Sequence, residues 1–282
     1  MTKVALLGTG LLGSGFAESL LSQGGTELTV WNRTRAKAEA LAPMGAHVAK
    51  SPADAVHGAE RIHLILLDDA TVDETIESLR PGLSSGAIIL DHTTNLPALT
   101  AERYRQLQID GISYLHAPVF MSPMAARTRG GHMLVAGSSE LFARVQSALA
   151  AMTGDLWYVG ERPDLAAAYK LFGNAMILIM GSGLADIFHM ADALHVDRAE
   201  ALALFSRFKP EGTIAVRGKK ILEEDYTATF TLQTARKDAR LMLESAGTEP
   251  VPLLTALAAR MDQVIAEGNG GLDLAVLAKK GA

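Results

Sequence analysis

The sequence predicts a doubly wound α/β domain over residues 1–162, an all-helical domain over residues 163–282, and one long helix joining them. Three observations lead there. The first half alternates short β-rich runs with helical stretches. Several of those runs are continuously apolar, as strands buried on both faces of a mostly parallel sheet must be. After about Gly160 the strand pattern stops, and "RPDLAAAYKLFGNAMILIMGSGLADIFHMADAL" continues without a break for about 30 residues, far longer than an average helix.

The strand candidates, in order, are "KVALLG", "ELTVWN", "AHVA", "RIHLILL", "AIILDHT", "ISYLHAPV", "HMLVAG" and "LWYVG". Helical periodicity joins them, as in "SELFARVQSALAAM", where Ser138 or Ser139 can cap the N-terminus by accepting from a free backbone N–H. Pro163 suits the first turn of the long helix, where its missing N–H costs nothing. Further helices are expected at "DRAEALALFSRF", "LQTARKDARLMLESA" and "PLLTALAARMDQVIAEG", with Gly and Pro marking the breaks.

Composition narrows the function classes. The chain is 49% hydrophobic and 20% charged, with a net charge of −5 and no Lys/Arg-rich block, so the electrostatic footprint of a nucleic-acid binder is missing. It has no cysteine, which excludes disulfides, thiolate chemistry and Cys-ligated metal and suits a reducing compartment such as the cytoplasm. Its eight histidines form no HExxH or similar ligand spacing, so no metal is expected, and no Gly-x-Ser-x-Gly elbow offers a serine nucleophile. The glycine-spaced N-terminus is not read as a signal peptide. "AMILIMGSGLADIF" is short of the about 20 residues needed to span a bilayer and is bracketed or interrupted by Lys170, Asn174 and Asp186. It is therefore expected to be a helix of a soluble core, with no membrane partner and with Met176, Met180 and Phe188 packed inside or, for some of them, lining the cleft.

"VALLGTGLLGSG" places Gly8, Gly10 and Gly13 in GxGxxG spacing after a strand and at the start of a helix, with Leu11 and Leu12 between the last two. The first glycine permits a tight turn, the second a close approach of a pyrophosphate, and the third helix-on-strand packing. The anion would then meet free N–H groups at a helix N-terminus. A plain glycine turn is the alternative. At the end of the second strand, where NAD binding usually places an acid, "VWNRTRAK" supplies Asn32, Arg33 and Thr34 instead. Arg33 can fork onto a 2′-phosphate, so NADP(H) is favoured over NAD(H).

In "YKLFGNAM", a lysine and an asparagine interrupt an apolar stretch four residues apart. On a helix, Lys170 and Asn174 share one face and point at the same space, where something polar should meet them. Reduction of a carbonyl by hydride builds negative charge on oxygen, which a positioned ammonium can stabilise and protonate. A neutral amide one turn away can orient the substrate without competing for the proton. A snorkelling surface lysine is the alternative reading.

Four separated segments, "GTGLLGSGFAESL", "DHTTNLP", "HAPVF" and "KLFGN", together resemble the β-hydroxyacid dehydrogenase family, which includes 3-hydroxyisobutyrate dehydrogenase and the glyoxylate and succinic semialdehyde reductases. A fifth, "FTLQTARKDARLML", resembles that family's C-terminal segment with its Lys-Asp pair, here Lys237 and Asp238. The resemblance implies a Rossmann domain, a long interdomain helix, a helical C-terminal domain and a homodimer or homotetramer. It implies Lys170 as general acid/base, Asn174 as a substrate holder, Thr94 as a nicotinamide or substrate contact, and Leu67 and Lys237 at the cofactor.

Two departures bear on the substrate. Where the family continues Ala-Pro-Val with Ser-Gly-Gly to receive a carboxylate, this chain has Phe120, Met121 and Ser122. The pocket would then favour a larger or less polar carbonyl compound, unless Ser122 or Arg127 supplies the anion contact or Phe120 turns into the core. His116 stands where the family often carries an acid and is read as structural. The expected function is an NADPH-dependent oxidoreductase interconverting a small aldehyde or oxo acid with its hydroxy acid. The alternatives are an imine reductase, against which the lysine counts, and a non-catalytic NADPH-binding sensor.

Overall fold

The structure is a computed structural model that describes residues Met1–Lys280. The chain divides into two compact units, the first ending at Asn174 and the second beginning at Ala175.

The first unit is built on nine strands among the described residues: β1 (Thr2–Leu7), β2 (Thr26–Trp31), β3 (His47–Val48), β4 (Arg61–Leu64), β5 (Ile88–Asp91), β6 (Ser113–His116), β7 (Val119–Phe120), β8 (His132–Ala136) and β9 (Asp155–Gly160). Their order is β3-β2-β1-β4-β5-β6-β8-β7, with β9 also paired to β8. The strands from β3 to β6 are all parallel, whereas β8 runs antiparallel to β6 and β7. The order reverses at the β1–β4 junction, which opens a crevice at the carboxyl ends of those strands. Each expected strand run is found, and "ISYLHAPV" divides into β6 and β7 around Ala117 and Pro118.

The helices of this unit are α1 (Leu11–Gln23), α2 (Arg35–Glu39), α3 (Pro52–Val56), α4 (Asp69–Leu79), α5 (Pro97–Ile109), α6 (Pro123–Arg127) and α7 (Ser139–Ala150), followed by the start of α8 (Leu165–Ala193). They cover both sheet faces. One core gathers Leu6, Phe16, Leu90 and Leu115, and the other Leu7, Ile62, Leu64 and Ile89, so successive residues of one strand feed opposite layers. Ser51, Asp68, Ser122 and Ser138 each cap a helix through the side-chain oxygen. The unit boundary falls inside α8, later than the loop before it. The helix's first turns belong to the sheet, because Ala166 and Tyr169 pack with Leu134, Ala136 and Phe120.

The second unit continues with α9 (Arg198–Arg207), α10 (Gly212–Leu222), α11 (Leu232–Ala246) and α12 (Pro252–Val264). Its core is small, with Leu232, Ala239, Met261 and Val264 at its centre. The buried Asp186 of α8 accepts from Leu254 N–H (2.8 Å) and so caps α12. Asp273, with no exposed surface, accepts from Thr229 N–H (2.9 Å), Thr229 Oγ1 (2.8 Å), Ala275 N–H (3.1 Å) and the Arg217 guanidinium. The expectation that the middle of α8 is core does not hold: Ile177, Leu178, Ile179 and Met180 are 54, 71, 54 and 53% exposed, and Met176 is 42% exposed. Phe188 is half-buried. A helix apolar on every side needs cover on every side, and this chain supplies little of it.

Candidate active site

The glycine loop shows three different reasons for glycine. Gly8 has φ +100°, and a Cβ there would strike the Ile65 carbonyl; a Cβ on Gly13 would strike the Gly8 carbonyl. These two let α1 and β4 close on the loop. Around Gly10, by contrast, nothing lies within 4 Å of where a Cβ would be. Gly10 is also the N-cap of α1 and offers no side chain to the helix's free N–H groups. Open space in front of uncapped donors is what a pyrophosphate requires, so these residues fit a dinucleotide.

Beyond the loop lies an open cleft of about 580 Å³ at the carboxyl ends of β1, β2 and β4, lined by Gly8, Gly10, Arg33, Thr34, Lys37 and Leu67 among others. Arg33 and Thr34 are exposed at its rim. Asn32 has a different task from that of a free donor: its Oδ1 accepts from Thr9 N–H (3.0 Å) and its Nδ2 donates to the Thr34 carbonyl (2.9 Å), bracing the glycine loop to the end of β2. Leu11 and Leu67 are 80 and 79% exposed, whereas Leu12 turns inward against the core. Lys37 also lines the cleft; it lies on α2, whereas Arg33 precedes that helix, so helical spacing from Arg33 gave no sign of it.

The loops after β5 and β6 are locked together by buried polar groups. Asp91, fully buried, accepts from Thr93 N–H (2.9 Å), Asn95 Nδ2 (2.7 Å) and Tyr114 Oη (2.8 Å). Thr93 Oγ1 accepts from Leu66 N–H (3.0 Å), and the Thr93 carbonyl accepts from His116 Nε2 (2.9 Å). His116 is buried, and this bond holds its Nε2. His92 Nδ1 donates to the Ala117 carbonyl (2.6 Å) and its Nε2 faces His63 Nδ1 (2.9 Å). Burial pushes the pKa of all three imidazoles down, that of His92 to about 4, so they are neutral at pH 7. Thr94 is exposed between the buried Thr93 and Asn95, held out by this scaffold. The lock was not legible beforehand, because its members come from three strands.

Lys170 and Asn174 do share a face of α8: Lys170 Nζ donates to Asn174 Oδ1 at 3.0 Å. Phe120, half-buried at the end of β7, lays its ring over the ammonium, with Nζ 4.2 Å from the ring centroid. Lys170 is half-buried, and this desolvation pushes its pKa below the usual lysine range. A protonated lysine with a weakened hold on its proton, one hydrogen bond and an apolar wall is equipped to give that proton up.

Ser122 and Arg127 each have a partner. Ser122 Oγ accepts from Ala125 N–H (3.1 Å) as the cap of α6, and Arg127 forks onto both oxygens of Glu18 (2.6 and 3.0 Å). Arg127 is thus already paired, whereas the exposed Ser122 keeps its O–H as a donor. Met121 packs against the core beside them. Lys237 lies on α11 in the second unit, paired with Asp238 at 2.8 Å. Among the described residues, no cluster of three His, Cys, Asp or Glu side chains is arranged to hold a metal.

Known proteins share this organisation. Residues 3–160 match the family described as the NAD binding domain of 6-phosphogluconate dehydrogenase. The chain is 28% identical over 285 residues to the 3-sulfolactaldehyde reductase of Escherichia coli (strain K12), covering 97% of this chain and 93% of that one. It is 27% identical over 265 residues to glyoxylate/succinic semialdehyde reductase 2, chloroplastic, of Arabidopsis thaliana, covering 93% and 73%. The solved structure of a reductive aminase from Aspergillus terreus in complex with NADPH and ethyl-5-oxohexanoate superposes with a TM-score of 0.90 at 26% identity over 98% of each chain. A dinucleotide cradle, a parallel sheet that reverses beside it and a family match over more than half its length lead to one conclusion: the chain belongs to the β-hydroxyacid dehydrogenase family of oxidoreductases and carries that family's nicotinamide-dinucleotide-binding domain.

Proposed function

We propose that the protein is an NADPH-dependent reductase of small aldehydes or oxo acids that also runs the reverse oxidation of the hydroxy acid, with Lys170 as general acid/base. The observation that carries the proposal is the half-buried Lys170, held by Asn174 at 3.0 Å and drawn below the usual lysine pKa range by desolvation. The dinucleotide supplies the hydride when bound. The chain's own part is to hold a proton at Lys170 Nζ beside the carbonyl oxygen, give it up as charge develops there, and take it back in the oxidative direction. Asn174, its carbonyl taken by Lys170, keeps the Nδ2 end as a donor for substrate. Preference for NADPH is supported by Arg33 and Lys37, two cations lining a cleft in which the end of β2 offers no carboxylate.

Imine reduction is the second reading, favoured by the apolar ring of Phe120 against the lysine and by the likeness to a reductive aminase. We further propose a cytoplasmic homodimer or homotetramer. Residues Met176–Met180 of α8 expose an apolar surface that a second copy of this helix can cover. By length and composition α8 could cross a membrane, but the half-buried Lys170 and Asn174 and the buried Asp186 along it favour a protein partner over lipid.

The test is NADPH and NADH oxidation by the purified protein with glyoxylate, succinic semialdehyde, larger apolar aldehydes and a cyclic imine, repeated with Lys170→Ala and Arg33→Ala. Lys170→Ala is expected to lose about 10²- to 10⁴-fold in kcat on carbonyl substrates with an unchanged melting temperature. Arg33→Ala is expected to weaken NADPH about tenfold and NADH little, in line with a charge-assisted hydrogen bond of roughly 1.5 kcal/mol. Turnover of the imine alone would establish the second reading, and cofactor binding without any turnover would make the protein a sensor.

A further inference from the structure

We propose that Phe120 is the specificity-determining residue of this site, and that it selects a neutral carbonyl compound with an apolar substituent over an aldehyde that carries a carboxylate. The proposal rests on the reading of Lys170 as proton donor and, of the aldehydes and oxo acids that reading admits, favours the neutral carbonyl compounds.

The ring has little freedom to leave. Phe120 sits in β7, with its backbone in register with His132 of β8, and its ring packs against α8 at Gly173. A Cβ at residue 173 would fall inside the ring's van der Waals envelope, so the helix approaches the ring as closely as it does only because that residue is glycine. Gly173 lies three residues after Lys170, on the neighbouring turn. One aromatic side chain thus fills the space between the helix backbone and the ammonium.

The electrostatics of that position discriminate. The face of an aromatic ring carries the negative part of its quadrupole, which attracts the Lys170 ammonium at 4.2 Å and offers a carboxylate lying against it no donor. A carboxylate brought beside the ring would also need donors to replace its water, or it would be buried unpaired. Of the two polar side chains on the following segment, Arg127 is already paired with Glu18, and Ser122, whose Oγ accepts as the cap of α6, has only its O–H to offer a carboxylate. A neutral aldehyde or ketone makes no such demand. Its oxygen needs one donor, which Lys170 provides, and its hydrocarbon part gains from contact with the ring.

Two pairs of compounds of equal chain length test this on the full-length protein. The first is butanal against succinic semialdehyde, compared by kcat/KM with NADPH. The second is n-butanol against γ-hydroxybutyrate, compared by dissociation constant on the NADPH-loaded protein, where no reaction runs. The variants are Phe120→Ser and Phe120→Gln; the latter keeps most of the volume while replacing the π face with a donor, and melting curves confirm that each is folded. The wild type is expected to prefer the neutral member of each pair by roughly tenfold or more, and the folded variants to cut or reverse that preference. A wild type that prefers the acidic member, or a folded variant that leaves both ratios within about twofold of wild type, would overturn the proposal. If the wild type turned over neither aldehyde, the reading of Lys170 would fall, and the alcohol pair alone would decide for or against Phe120.

Discussion

The two units treat their apolar residues in opposite ways. The first buries whole strands, with Leu6, Leu7, Leu64, Ile89 and Leu90 all without exposed surface, between helices on both faces of the sheet. The second has one small core and leaves the middle of α8 open, with Leu178 71% exposed. The contrast teaches that the first unit covers its strands with its own helices, whereas the second combines one small core and a few polar locks with an exposed apolar stretch on α8. Lys170 stands on α8, the helix within which the first unit ends and the second begins.

The sharpest way to probe the second unit is at its lock. Asp273→Ala would leave the Thr229 and Ala275 N–H groups and the Arg217 guanidinium without their shared acceptor, and is expected to cost about 3–5 kcal/mol. In a urea titration, the loss should appear as an early transition of α9 to α12, with the dinucleotide-binding unit unfolding as in wild type; a single shifted transition for both would break the comparison.

The open stripe is probed next. Leu178→Glu removes nothing from the isolated chain, but in an assembly that covers α8 it forfeits about 1.5–3 kcal/mol of apolar burial per protomer and adds a buried charge. Sedimentation is expected to show a dimer or larger assembly for wild type and dissociation for the variant. A wild-type chain that sediments alone would mean that the stripe is solvated.

Acid separates the units by a smaller step. The His92 pKa is lowered from the ordinary 6.5 to about 4 by burial, so the folded state binds its proton less readily than the unfolded state. The stabilisation is complete above about pH 6.5 and is lost as the pH falls towards 4, amounting to about 2 kcal/mol at pH 5 from His92 alone. His63 and His116 act in the same direction, and among the described residues the second unit has no buried histidine. Lowering the pH from 7 to 5 should therefore weaken the first unit selectively; equal loss from both units would contradict this.

Much of the first unit was legible because its strands are buried on both faces and read as unbroken apolar runs, with a glycine loop marking where the sheet reverses. The pairing of Lys170 with Asn174 was legible from helical spacing alone. What escaped depends on contacts distant in sequence or hidden by composition. α10 contains Gly212 and Gly218, which read as breaks, and it has no buried residue whose apolar spacing could have marked a helix. Arg127 looked available because Glu18, 109 residues away, gives no local sign of its claim on it. The apolar run of α8 was expected in a core, and its periodicity could not say whether the covering surface belongs to the same chain.

The most direct measurement for the account as a whole follows the hydride under single-turnover conditions, using NADPH deuterated at the reactive carbon, a carbonyl substrate, and wild-type protein beside Lys170→Ala. Deuterium is expected on the carbinol carbon of the product with wild type, and transfer slowed by about 10²- to 10⁴-fold in the variant while the cofactor still binds. Bound cofactor with no deuterium delivered by wild type to any carbonyl, or transfer at an equal rate in Lys170→Ala, would contradict that expectation.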